Sequence, residues 1–97
     1  MQQRRQGIFW LLTIPQPSFV PYLPPSCVYV VGQLEKGNDG GYLHWQLLVA
    51  FSKKSSLSQV TAVFGNVHAE LSRSSFANAY CQKDDTRVEG TSFELGY

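Results

Sequence analysis

Two polar side chains interrupt the apolar run "GGYLHWQLLVAF" at residues 40–51: His44 and Gln46. Side chains two apart on a strand share a face, so an imidazole and an amide project together. The imidazole nitrogen is an intermediate donor and the amide oxygen a hard one, and both bind metal ions. Alone, the pair reads more simply as the polar face of a water-exposed strand. Glu35 changes the balance, because it ends the preceding apolar run "CVYVVGQLE". A hairpin between the two runs would bring its carboxylate round onto the same face. Glu35, His44 and Gln46 would suit Mg²⁺ or Mn²⁺ better than structural Zn²⁺, which favours Cys and His in closed tetrahedra.

A second pair lies in "AYCQKDD", where Tyr80 and Lys83 are three apart. On a helix that spacing gives one face. The plain reading is a core tyrosine beside a snorkelling lysine. The chemical reading is a phenol nucleophile with a cation beside it. A free phenol has a pKa near ~10, so attack at neutral pH needs a neighbouring charge that favours the phenolate.

The elements that must position these residues follow from local pattern. "GIFWLLTI" (7–14) is apolar and closed by Pro15, a buried strand. "PQPSFVPYLPPS" holds all five prolines and forbids a long helix or central strand, leaving a connection with at most a helical turn. "CVYVVGQLE" (27–35) is a β-branched strand, with Tyr29 expected in the core. "KGNDGG" is a turn, and "YLHWQLLVAF" (42–51) is the antiparallel third strand. "SSLSQVTAVFG" gives an amphipathic helix between Ser N-caps and Gly65. "NVHAELS" alternates Val67, Ala69 and Leu71 against Asn66, His68 and Glu70, a fourth strand on whose polar side His68 reads as a surface histidine. "SSFANAYCQKDD" reads as a second helix and "SFEL" (92–95) as a closing strand. The order predicts an α+β domain. Its five-stranded antiparallel sheet, ferredoxin- or RRM-like, has helices on one face and leaves the other open for function.

Composition bounds the alternatives. Ninety-seven residues make one domain, and 43% hydrophobic content is enough for a core. Cys27 and Cys81 fit no metal spacing and read as reduced thiols rather than a disulfide. The basic start "MQQRRQ" is followed by too short an apolar run for a signal peptide. No apolar run approaches the ~20 residues of a membrane span, so a soluble chain is expected, with no membrane partner. A net charge of +1 neither favours nor excludes nucleic acid, because its basic residues can still gather on one face.

In this order the motifs resemble a family. "LLTIPQ" (11–16), "LHWQ" (43–46) and "YCQK" (80–83) are similar to the three motifs of the N-terminal HUH endonuclease domain of replication initiator (Rep) proteins from circular single-stranded DNA viruses. The first is nearest the geminivirus form FLTYPQ. The HxQ form of the second is that of circovirus-like Reps, and the spacing aligns Glu35 with the family's acidic metal ligand. The terminal "SFELG" resembles the family's closing strand. Ile14 replaces the usual aromatic of the first motif, and Gln46 the second histidine of the superfamily's name. The proline-rich 15–25 stretch stands where relatives carry a longer helix.

The resemblance implies nicking and joining of single-stranded DNA at an origin stem-loop, to start rolling-circle replication in the host nucleus. It implies a 5′-phosphotyrosine on Tyr80, with Lys83 assisting and Mg²⁺ or Mn²⁺ on Glu35, His44 and Gln46. Trp10, Thr13 and Tyr42 are candidates for receiving splayed bases on the open sheet, and Arg4, Arg5, Lys53 and Lys54 for contacting phosphates. Family members usually continue into a helicase domain absent from these residues, and the whole protein is expected to oligomerise through such further regions. The alternative is a non-catalytic single-stranded nucleic-acid-binding module. An RRM is disfavoured, because "YLHWQLLVAF" lacks the basic start and aromatic pattern of its signature octamer. A capsid or scaffold fragment has little support in a pI of about 7.8.

Overall fold

A computed structural model describes residues 6–37, 42–72 and 87–96. Five strands form one antiparallel sheet: β1 (Gln6–Pro15), β2 (Cys27–Lys36), β3 (Leu43–Ser56), β4 (His68–Ser72) and β5 (Phe93–Gly96), in the order β4-β1-β3-β2-β5. One helix, α1 (Leu57–Phe64), joins β3 to β4, and the proline-rich connection contributes a single 3₁₀ turn at Gln16–Ser18. The α+β class and the antiparallel five-stranded sheet are as the sequence predicts. The expected second helix, and most of the "KGNDGG" turn, lie outside the described residues.

The longest strand is β3, at the centre, and it runs further than the apolar pattern of 42–51 foretells. Its polar tail "SKKSS" stays extended because the start of β1 gives it a partner, with Gln6 opposite Ser56 and Gly7 opposite Ser55 beyond a bulge. No loop then intervenes before α1. Ser56 is at once the last paired strand residue and the helix N-cap. Its hydroxyl accepts from the Gln59 backbone N–H, while the Gln59 side chain accepts from the Ser56 N–H at 2.7 Å. This reciprocal capping satisfies donors that a helix start otherwise leaves orphaned. At the other end, Gly65 takes a positive φ of 90° and donates to the Thr61 carbonyl.

Alternation sends the sheet's residues to two different environments. Trp10, Leu12 and Ile14 of β1, Trp45, Leu47, Val49 and Phe51 of β3, and Val30 and Leu34 of β2 face α1 and form the core with Val60. Phe19, from the proline-rich connection, enters that core among Trp45, Phe64 and Phe93, with ring centroids 5.9–6.4 Å apart. Residues of opposite parity face the other way. Phe9, Leu11, Tyr29, Val31 and Leu48 make a smaller apolar cluster there. Tyr29, expected in the main core, belongs to this second face, and its hydroxyl donates to the Glu94 carboxylate. Among the described residues no helix lies on this side.

Cys27 is buried at the start of β2, where desolvation pushes its thiol up to about 11. At neutral pH it is protonated and a poor nucleophile.

At Gly32 of β2 an added Cβ would overlap the Gln46 carbonyl oxygen of β3. Backbone cannot swing aside as a side chain can. Gly32→Ala should therefore destabilise the domain by about 1–3 kcal/mol, read as a fall in the thermal midpoint of roughly 5–20 °C. An unchanged melting curve would show that the two strands can separate at this point without cost.

Candidate metal centre

The second face carries two adjacent rows of polar side chains, each set by cross-strand register. In one, Glu35 of β2 lies directly opposite His44 of β3. In the next, Gln33, Gln46, Thr13 and His68 line up across β2, β3, β1 and β4. Directly opposed residues in an antiparallel pair project to the same side. The carboxylate therefore does come onto the face that holds His44 and Gln46.

Their side chains are fixed by neighbours. His44 Nε2 stands 3.7 Å from Glu35 Oε1. The other carboxylate oxygen, Oε2, accepts from Gln33 Nε2 at 3.1 Å. Gln46 is held at both ends, its Oε1 accepting from the Thr13 hydroxyl and its Nε2 donating to the Leu12 carbonyl, each at 3.2 Å. Glu35 and Gln46 are only 4% and 6% exposed. Tyr42 stacks on the imidazole, with centroids 5.5 Å apart and planes 22° from parallel.

This geometry fits a divalent cation. The 3.7 Å between His44 and Glu35 exceeds an ordinary hydrogen bond. Two donors each ~2.1 Å from one ion stand about 3–4 Å apart. Gln46 Oε1 spends one lone pair on Thr13 and keeps a second. His44 Nδ1 is buried with no hydrogen-bond partner among the described residues. Nor does any group of three His, Cys, Asp or Glu side chains gather among those residues. An ion at this place would draw on one carboxylate, one imidazole and one amide, a set suited to hard Mg²⁺ or Mn²⁺.

The other candidate residues fall in different places. Trp10, expected on the open sheet, is instead 3% exposed in the core, with its indole N–H shared between the Gly7 and Ser55 carbonyls at 3.2 Å. It has the parity of Leu12 and Ile14, which turn toward α1. Thr13 does lie on the second face, with Gln46, and its hydroxyl is engaged with that residue. Tyr42 is 59% exposed beside His44. Lys53 and Lys54 are exposed on the polar tail of β3, roughly 30 Å along the strand from His44. His68 is an exposed histidine paired with Glu70. Arg4, Arg5, Tyr80 and Lys83 lie outside the described residues.

Two features of the site are absent from the sequence reading. Gln33 is fully buried and touches Glu35; the two-residue spacing that links His44 to Gln46 also links Gln33 to Glu35. Arg87 bridges to Glu35 along the outer side of β2, with the Val88 N–H donating to the Leu34 carbonyl. No local pattern signals that pairing.

The family model described as "Putative viral replication protein" matches residues 7–84. The chain belongs to this family. Among viral replication proteins it is similar to the Master replication protein of banana bunchy top virus, 37% identical over 94 residues, covering 95% of the chain and 32% of the relative. The Master replication protein of subterranean clover stunt virus is 40% identical over 88 residues, covering 89% and 30% respectively. Para-Rep C3 of Milk vetch dwarf C3 alphasatellite is 32% identical over 90 residues, covering 88% and 31%. The chain thus spans about a third of the length of the curated relatives it matches. The matched 7–84 span of this viral replication protein contains Glu35, His44, Gln46, Tyr80 and Lys83.

Trp10→Phe discriminates core from DNA surface. It removes the indole N–H and leaves two carbonyls without that donor, so stability should fall by about 1–3 kcal/mol. Any affinity that the folded protein has for single-stranded DNA should be the same in the variant and the wild type in a filter-binding or anisotropy titration. A fall in affinity at temperatures where the variant is fully folded would return Trp10 to the DNA surface.

Proposed function

We propose that this chain is the DNA-nicking and joining domain of a viral replication initiator, an HUH-type endonuclease that acts on single-stranded DNA at an origin stem-loop. The observation that carries this reading is the convergence of Glu35, His44 and Gln46 on one sheet face. Membership of the viral replication family supports it.

In this reading Glu35, His44 and Gln46 would hold Mg²⁺ or Mn²⁺, which when bound would supply Lewis-acid polarisation of the scissile phosphate. Tyr80 is the nucleophile. Its phenolate oxygen bonds to phosphorus as the bond to the 3′ oxygen breaks, leaving a 5′-phosphotyrosine and a free 3′-OH. One phosphodiester replaces another, so the 3′-OH can reverse the step and join strands. Lys83, three residues on, favours the phenolate and offsets developing charge. Arg87 bridges to Glu35 at the edge of β2. Tyr80 lies seven positions before Arg87, a reach of at most ~25 Å. Tyr42 is the competing phenol, but it is stacked flat on His44.

The test is a labelled origin-like single strand incubated with Mn²⁺ and run on a denaturing gel. Wild type should give a cleaved product and a covalent adduct whose nucleotide maps to the Tyr80 peptide. His44→Ala and Glu35→Ala should reduce cleavage to background while remaining folded. Gln46→Ala should recover partly as Mn²⁺ is raised, since it loses one neutral donor. Tyr80→Phe should bind DNA and form no adduct. An adduct on Tyr42, or wild-type nicking by His44→Ala in limiting Mn²⁺, overturns the mechanism. DNA binding without cleavage in any divalent metal would identify a non-catalytic binding module instead.

A further inference from the structure

We infer that Gln33 is a positioning residue for the metal centre: it fixes the orientation in which the Glu35 carboxylate faces His44. This rests on the reading that Glu35 and His44 hold a divalent ion. Gln33 is 0% exposed in the middle of β2. A buried amide is costly unless hydrogen-bonded, so its placement needs a reason. Its Nε2 donates to Glu35 Oε2 at 3.1 Å, and its Oε1 accepts from the Ser92 hydroxyl at 3.3 Å.

The direction of the amide follows from chemistry. An ionised carboxylate only accepts, whereas a serine hydroxyl either donates or accepts. The NH₂ end of Gln33 must therefore turn to Glu35, and the carbonyl end to Ser92. Engaging Oε2 leaves Oε1 toward His44 Nε2. Rotation about the last bond of a glutamate is otherwise broad and roughly two-fold, so a carboxylate without this contact would spread over many orientations. Ser92 is itself well placed to act as anchor. Its neighbour Thr91 accepts from the Leu34 N–H at 3.1 Å and donates to the Val88 carbonyl at 2.6 Å, which fastens the approach to β5 along β2. The closing strand thereby reaches the carboxylate through Ser92 and Gln33.

Groups that orient metal ligands typically change affinity 10–100-fold when removed. Gln33→Met keeps length and volume and lacks the N–H donor. Mn²⁺ binding to the whole chain, followed by the free-ion signal in electron paramagnetic resonance at a temperature where the metal-free variant is fully folded, should weaken 10–100-fold. Nicking by the variant should return as Mn²⁺ is raised. Ser92→Ala, an exposed substitution with little risk to folding, should shift Mn²⁺ affinity in the same direction by a few-fold. Wild-type Mn²⁺ affinity in folded Gln33→Met overturns the inference; if that variant fails to fold, wild-type affinity in Ser92→Ala does so. Glu35→Ala separates the two levels. If it too binds Mn²⁺ normally, the metal-centre reading fails; if it loses Mn²⁺ while Gln33→Met does not, only the role of Gln33 fails.

Discussion

The register of β2 against β3 is the constraint on which everything else rests. Glu35 faces His44 and Gln33 faces Gln46 only because these strands pair at one offset. A slip of a single residue would send each side chain of the slipped strand to the opposite face. Leu34 would then sit where Glu35 does, and a carboxylate would enter an apolar core. The core thus enforces the register and the register assembles the site. β1, on the other side of β3, adds Thr13 to Gln46 by the same means.

Separation of the two faces explains how a small domain carries buried polar groups. The α1 side is almost wholly apolar, with Leu12, Ile14, Val30, Leu47, Val49 and Val60 fully buried. On the other face, buried Gln33, Glu35 and Gln46 each have hydrogen-bond partners. An unmade bond to such a group costs about 1–3 kcal/mol, against a total stability of about 5–15 kcal/mol for a typical domain. Satisfying these three groups locally lowers the cost of building the site. The bonds that lower this cost also orient the carboxylate and the amide.

Much of this was legible from residue spacing. The two-residue interval of His44 and Gln46 placed them on one face, and the hairpin brought Glu35 round to join them. Where the sequence reading went astray, the reason is physical. Trp10 and Thr13 differ by three positions, so alternation itself puts them on opposite faces; aromatic character suggested a stacking surface and parity decided otherwise. The tail of β3 has no apolar signal, because its extension is imposed by pairing with Gln6 and Gly7. Tyr29 sits in an apolar run but reaches Glu94 across the sheet, a contact between residues 65 apart that no local window registers. Gln33 was accessible to the same rule that found Gln46, had it been applied backward from Glu35.

The direct passage of β3 into α1 has a dynamic corollary. A helix joined to a strand by a loop can fray at its first turn while the sheet stays intact. Here Ser56 is held by Gln6 across the sheet and is also the cap of the helix. Opening the first turn of α1 therefore entails loosening the end of the β1–β3 ladder. Local unfolding tends to proceed in contiguous cooperative units. If the start of the helix and the polar tail of β3 open as one such unit, their backbone amides should report a common opening free energy in hydrogen–deuterium exchange.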